Sequence, residues 1–114
     1  MSAKTFYIKL GDRLPSLGCT LLDDTGVAQD VTGATVKFAV RRKNTKPALL
    51  DASATVVTAA SGIVRYDWAA GDTATLLGVG DFEGEFQVTL ANGKVGTFPG
   101  DGYIPIVVTR DIAA

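Results

Sequence analysis

An all-β fold, two antiparallel sheets packed face to face, is what this sequence predicts. Three observations carry the expectation. Apolar and polar residues alternate along most of the chain, turn residues break the alternation at short intervals, and runs able to form a helix are nearly absent. The expected layout is about eight short strands in one sandwich domain spanning residues 1–114, with at most one or two short helical turns.

The elements follow in chain order. Thr5–Lys9 and Leu17–Leu22 are the first two runs of strand character. In Ala34–Arg41, Val36, Phe38 and Val40 point one way and Lys37, Ala39 and Arg41 the other, as successive side chains of a half-buried strand do. Ala54–Thr58 comes next. Ile63–Trp68 sets Val64, Tyr66 and Trp68 against Arg65 and Asp67. In Phe82–Leu90, Phe82, Phe86, Val88 and Leu90 share one face, and Glu83, Glu85, Gln87 and Thr89 the opposite one. Lys94–Phe98 and Tyr103–Thr109 complete the set. Asn92-Gly93 between two alternating runs predicts a type I′ hairpin turn, since both residue types tolerate positive φ. Asp24-Thr25-Gly26, Ser61-Gly62 and Gly100-Asp101-Gly102 read as further turns. Helix is confined to a turn or two after Asp72, with Asp72 as N-cap and Leu76 and Leu77 packing inward, and to a single turn near Gln29–Gly33. Trp68, Phe38, Phe82 and Phe86 are the expected core anchors.

Composition narrows the function. The chain has 114 residues, enough for one core without staples. Eleven basic and 12 acidic residues leave a net charge of -1, so no global field recruits nucleic acid or an anionic membrane. Histidine is absent, which removes His-based triads, Cys-His dyads, imidazole relays and His metal sites. The lone cysteine, Cys19, lies in the apolar run Leu-Gly-Cys-Thr-Leu-Leu and reads as a small buried hydrophobe. No apolar run approaches a membrane-spanning length and no signal peptide opens the chain, so a protein made in a reducing cytosol is expected.

The residues that resemble chemistry have plainer readings. Asp23-Asp24 precedes Thr25-Gly26 and reads as a turn whose carboxylate binds its own backbone. Glu83 and Glu85 lie on one strand face and are expected to pair with Lys94 or Arg65 across strands. Gly78-Val79-Gly80 precedes a strand and does not open a helix, so the phosphate-loop reading fails. The run Arg41–Lys46 is a solvated hairpin loop or a patch for an acidic partner. Neither a catalytic residue, a cofactor-binding residue nor a metal ligand emerges, and the expectation is a non-enzymatic protein without cofactor or small-molecule substrate.

Proline organises the C-terminal end. It has no N–H to give a ladder, so Phe98-Pro99 ends one strand and Pro105 assigns the last one to an edge or bulge. Open edges accept a neighbour's strand. Phe98, Pro99, Tyr103, Pro105, Arg41 and Arg42 are therefore the candidate assembly contact.

The ordered set of motifs resembles a known family. It comprises Gly11-Asp12, Asp24-Thr25-Gly26, Val31-Thr32-Gly33-Ala34-Thr35-Val36-Lys37-Phe38 and Ser61-Gly62-Ile63-Val64-Arg65-Tyr66. It ends with Gly80-Asp81-Phe82-Glu83-Gly84-Glu85-Phe86 and Gly93-Lys94 through Thr97-Phe98-Pro99. Over Tyr7 to Asp111 this order is similar to the immunoglobulin-like N-terminal module of tailed-phage upper baseplate proteins. The resemblance implies an immunoglobulin-like sandwich that binds other virion proteins in many copies and resides in the virion. The chain stops at Ala114 with no trailing coiled coil or fibre, so the expected role is a small tail or baseplate subunit. The alternatives are a neck or capsid decoration protein, and beyond the virion a carbohydrate or cell-surface binding module.

Overall fold

The computed structural model describes residues 4–100 and 102–112. It is an immunoglobulin-like β-sandwich. Nine strands follow in order: β1 Phe6–Lys9, β2 Leu17–Thr20, β3 Thr35–Arg42, β4 Ala48–Ser53, β5 Thr55–Thr58, β6 Ile63–Tyr66, β7 Gly80–Thr89, β8 Val95–Phe98 and β9 Ile104–Thr109. Six of them form one sheet, β1-β9-β7-β3-β4 with β8 also on β7, and three form the other, β2-β6-β5. All pairings are antiparallel except β1 with β9.

The expected alternation sets the core. Val36, Phe38 and Val40 of β3, Phe82, Phe86 and Val88 of β7, and Ile104, Ile106 and Val108 of β9 all face inward from the large sheet. Val64 and Tyr66 of β6 and Leu17 of β2 meet them from the small sheet. Trp68, Phe38, Phe82 and Phe86 are all at most 1% exposed, as the pattern requires. Phe38 lies at the centre, its ring 4.8 Å from both Tyr66 and Phe86 and edge-on to Trp68 at 5.9 Å. Such ring pairs add about 0.5–1.5 kcal/mol each beyond area burial. Gly84 makes room for this cluster, because a Cβ there would stand 2.7 Å from Ile106 Cδ1 and 3.1 Å from the Phe38 ring.

Four local expectations are corrected. β4 is a ninth strand that the sequence reading left unassigned between the basic run and Ala54–Thr58, and it buries only Leu50. The Asn92-Gly93 turn is not type I′, since Gly93 alone has positive φ. Gly93 N–H donates to Leu90 O and Leu90 N–H to Lys94 O, which makes a three-residue loop with its left-handed residue at Gly93. The helical turn Asp72–Leu77 is a π turn whose N-cap is Gly71, and Leu76 is exposed while Leu77 packs inward. No helical turn forms at Gln29–Gly33. Asp101, of the expected Gly100-Asp101-Gly102 turn, lies outside the described residues.

The last strand is also not the free edge that Pro105 suggested. From Ile106 to Val108, β9 is enclosed between β7 and β1. Pro105 stands opposite Glu83, one residue before the first β1 partner, so its missing N–H interrupts neither ladder.

Candidate interaction surface

The outer face of the large sheet carries one ordered group of polar and aromatic side chains, around Arg41. The pleat turns Lys37, Ala39 and Arg41 of β3 outward, and register places Arg41 opposite Glu83 and Glu83 opposite Pro105. Arg41 Nη2 and Nε lie 3.0 and 3.1 Å from Glu83 Oε1, and the Asn44 N–H donates to the same oxygen at 3.3 Å. The guanidinium is stacked over the Tyr103 ring at 4.5 Å. A surface opposite-charge pair across strands adds little to stability, so its larger consequence is a fixed arginine. Lys37 and Asp51 add a looser exposed pair at 3.9 Å on the same face.

This geometry divides the six candidate residues. Arg41, Tyr103 and Pro105 come together with Glu83. Arg42 alternates to the opposite side of β3, where its guanidinium covers the Phe82 ring at 5.1 Å. Phe98 faces inward opposite Phe86, packed against the core. Pro99, after a cis bond, occupies the break between β8 and β9. The six therefore do not form one contact. Glu83 is the missing member, and its cation is Arg41 instead of the expected Lys94 or Arg65. Arg65 instead holds Asp67 at 2.8 Å.

A second polar cluster lies within the sandwich. Asp72 reads as an N-cap in sequence, yet its carboxylate turns inward. Oδ2 accepts a 2.5 Å hydrogen bond from the Tyr66 hydroxyl and a 2.8 Å bond from the Ala69 N–H. Burial and this bond to Asp72 push the Tyr66 phenol well above the ordinary tyrosine value. Next to it, Thr73 Oγ1 accepts the Gly11 N–H at 2.8 Å, and Arg13 Nε donates to Trp68 O at 3.0 Å. The arrangement ties the β1–β2 connection to the loop after β6. It reads as structural. Trp68 Nε1 is buried without a hydrogen-bond partner among the described residues.

Asp23 behaves as the turn reading expects: Oδ1 accepts from the Thr25 hydroxyl at 2.6 Å, the Thr25 N–H at 2.9 Å and the Val27 N–H at 3.0 Å. Cys19 is half-buried, and burial raises its thiol above the ordinary value.

Together these features define an immunoglobulin-like sandwich with a polar, aromatic outer face. No family model and no curated protein matches the chain. Among solved structures it is similar to CopC from Methylosinus trichosporium OB3b, with a TM-score of 0.50 and 14% identity over 96% of this chain and 86% of that one. At that identity the likeness is one of fold. It corrects the expected role as a phage structural subunit: the structural likeness is to CopC, and neither a family model nor a curated protein ties the chain to a tail, baseplate, neck or capsid. The one tryptophan that the sugar-binding alternative would place at the surface, Trp68, is core.

Proposed function

We propose that this chain is a non-enzymatic recognition domain that presents the outer face of its six-stranded sheet to a protein partner. The observation that carries the reading is the clamped Arg41, held between Glu83 and the Tyr103 ring. Arginine and tyrosine are enriched among the few residues that carry most of the binding energy at protein interfaces, where truncating such a hot spot costs about 2 kcal/mol or more. An arginine already fixed by its neighbours loses less rotamer freedom when it docks. Lys37 with Asp51 and Arg41 with Glu83 neutralise one another, so short-range contacts and shape, not a long-range field, select the partner. The motif order that resembles baseplate modules is read as a mark of shared sandwich architecture and not of a shared role.

The likeness to CopC raises metal handling as another reading, and the donor set does not fit it. The sequence has no histidine and one cysteine, and no group of three or more Cys, Asp or Glu converges among the described residues.

Site-specific photo-crosslinking in the producing cell tests the proposal. A benzophenone amino acid at position 103 should give a discrete adduct with one protein, and Arg41→Ala should weaken it several-fold. The same probe at Thr20, on the outside of the small sheet, should give none. No adduct from position 103, or equal adducts from both positions, would overturn the reading.

A further inference from the structure

The edge of β8 carries a second binding feature. β8 pairs with β7 on one side, and among the described residues no strand lies on its other side, because β1 spans only β9. Leu90 N–H bonds Lys94 O, which fixes the alternation along the hairpin. Gly96 and Phe98 thus exchange hydrogen bonds with Val88 and Phe86, while the N–H and C=O groups of Val95 and Thr97 point to the open side. Val95 is 60% exposed there.

Beside this edge lies a hollow of about 200 Å3, lined by Val88, Leu90, Val95, Gly96 and Phe98 together with the polar Gln29 and Lys94. Small-molecule sites are larger, about 300–1,000 Å3, so its size suits a single side chain. Gly96 keeps it open: a Cβ at that position would stand 3.2 Å from the Phe98 ring. Lys94 is exposed and has no ion-pair partner among the described residues.

We infer that the β8 edge is a docking site for one extended segment of a partner protein, which adds a strand beside Val95–Phe98, places an aliphatic side chain in the hollow and sets an acidic residue against Lys94. The backbone groups of Val95 and Thr97 call for another polypeptide strand, the hollow for an apolar side chain at alternate positions, and the free ammonium for a carboxylate. The inference rests on the reading of this domain as a recognition module, but on a different surface from Arg41 and Tyr103.

The test uses the whole chain and a library of capped extended hexapeptides, varied between aliphatic and polar at one position and between Asp, Ser and Lys two residues away, on the same face of the added strand. Aliphatic peptides with Asp should bind best and shift the Val95 and Thr97 amide resonances. Thr97→Pro removes an edge donor that the β7 ladder does not use, and Gly96→Val fills the hollow. Each should weaken binding at least tenfold while the circular dichroism spectrum is retained. Lys94→Glu should reverse the preference from Asp to Lys peptides. Absence of binding, indifference to Thr97→Pro and Gly96→Val, or an edge occupied by a second copy, seen as dimers abolished by Thr97→Pro, would overturn the inference. Cross-linking at position 103 succeeds or fails independently, so the two readings are separable.

Discussion

Gly62 is the position where one methyl group should do the most damage. It follows the 3-10 turn Ala59–Ser61 at φ 64 and is buried. A Cβ there would lie 2.5 Å from Gln29 O and 3.0 Å from Leu21 O, both backbone atoms that cannot swing aside. Two hydrogen bonds pass through this contact, Leu21 N–H to Gly62 O and Gln29 N–H to Leu21 O, each 2.8 Å. In Gly62→Ala the left-handed conformation costs about 1–2 kcal/mol. Parting the strands removes two hydrogen bonds at about 1 kcal/mol each. The expected loss is roughly 3–4 kcal/mol, which for a domain of this size lowers the thermal midpoint by about 10–15 °C. Gly26→Ala isolates the first contribution, since Gly26 has φ +84 with nothing within 4 Å of its Cβ; it should lose only about 1–2 kcal/mol. Urea unfolding followed by the fluorescence of Trp68, the single tryptophan, measures both. Equal losses in the two variants would refute the steric argument, because it attributes the difference to the Gln29 and Leu21 carbonyls.

Two other perturbations address the polar groups. Tyr66→Phe deletes the hydroxyl that bonds the buried Asp72 carboxylate and should destabilise by about 1–3 kcal/mol in the same urea assay. In the native chain the raised Tyr66 value means that the stabilisation is complete below the unfolded tyrosine value, near 10, and is lost as pH climbs from there towards the folded value. Tyr66→Phe should flatten that alkaline limb. At the acid end the carboxyls of Asp23, Asp30 and Asp67 are held below their ordinary value, chiefly by the hydroxyls of Thr25, Thr32 and Ser16 respectively. Their contribution is present above the unfolded value, about 3.9, and disappears as pH falls through the lower folded values. The urea midpoint should therefore drop on going from pH 5 to pH 2, and less steeply in Asp23→Asn.

The parts of this fold that were legible in sequence are those that one strand specifies by itself. Val36, Phe38 and Val40, or Phe82, Phe86 and Val88, announce a strand and its buried face through a period of two. β4 escaped because Ala48–Ser53 buries one leucine among small residues and follows Pro47, so no alternation stands out. The hairpin at Asn92-Gly93 was legible, but not its turn type, which depends on whether two or three residues lie between the last paired ones. The clamp on Arg41 was invisible for a different reason. Glu83 is 42 residues away, and only the β3–β7 register makes them neighbours. Asp72 shows the same limit: an Asp before a helical turn is a cap by local chemistry, and only the position of Tyr66 turns it inward. The family resemblance failed as a guide to role because its motifs are turns and strand faces, which any sandwich of this topology needs.

The two proposed surfaces follow from one topological fact. β8 and β9 pair in succession with the same side of β7, separated at Pro99–Tyr103, and β1 reaches only as far as Ile106. Were β1 longer, it would run on past Pro105 and cover β8. The break therefore places Tyr103 where its ring can rest against Arg41, and among the described residues it leaves the outer side of Val95 and Thr97 without a strand. An open edge is a hazard in a long flat strand, because further strands add without limit. Here the edge is four residues long, preceded by the Lys94 charge and ended by Pro99. Those features leave room for one short segment and stop the ladder beyond it. What protects the edge against indefinite pairing is thus also what would make its occupancy single.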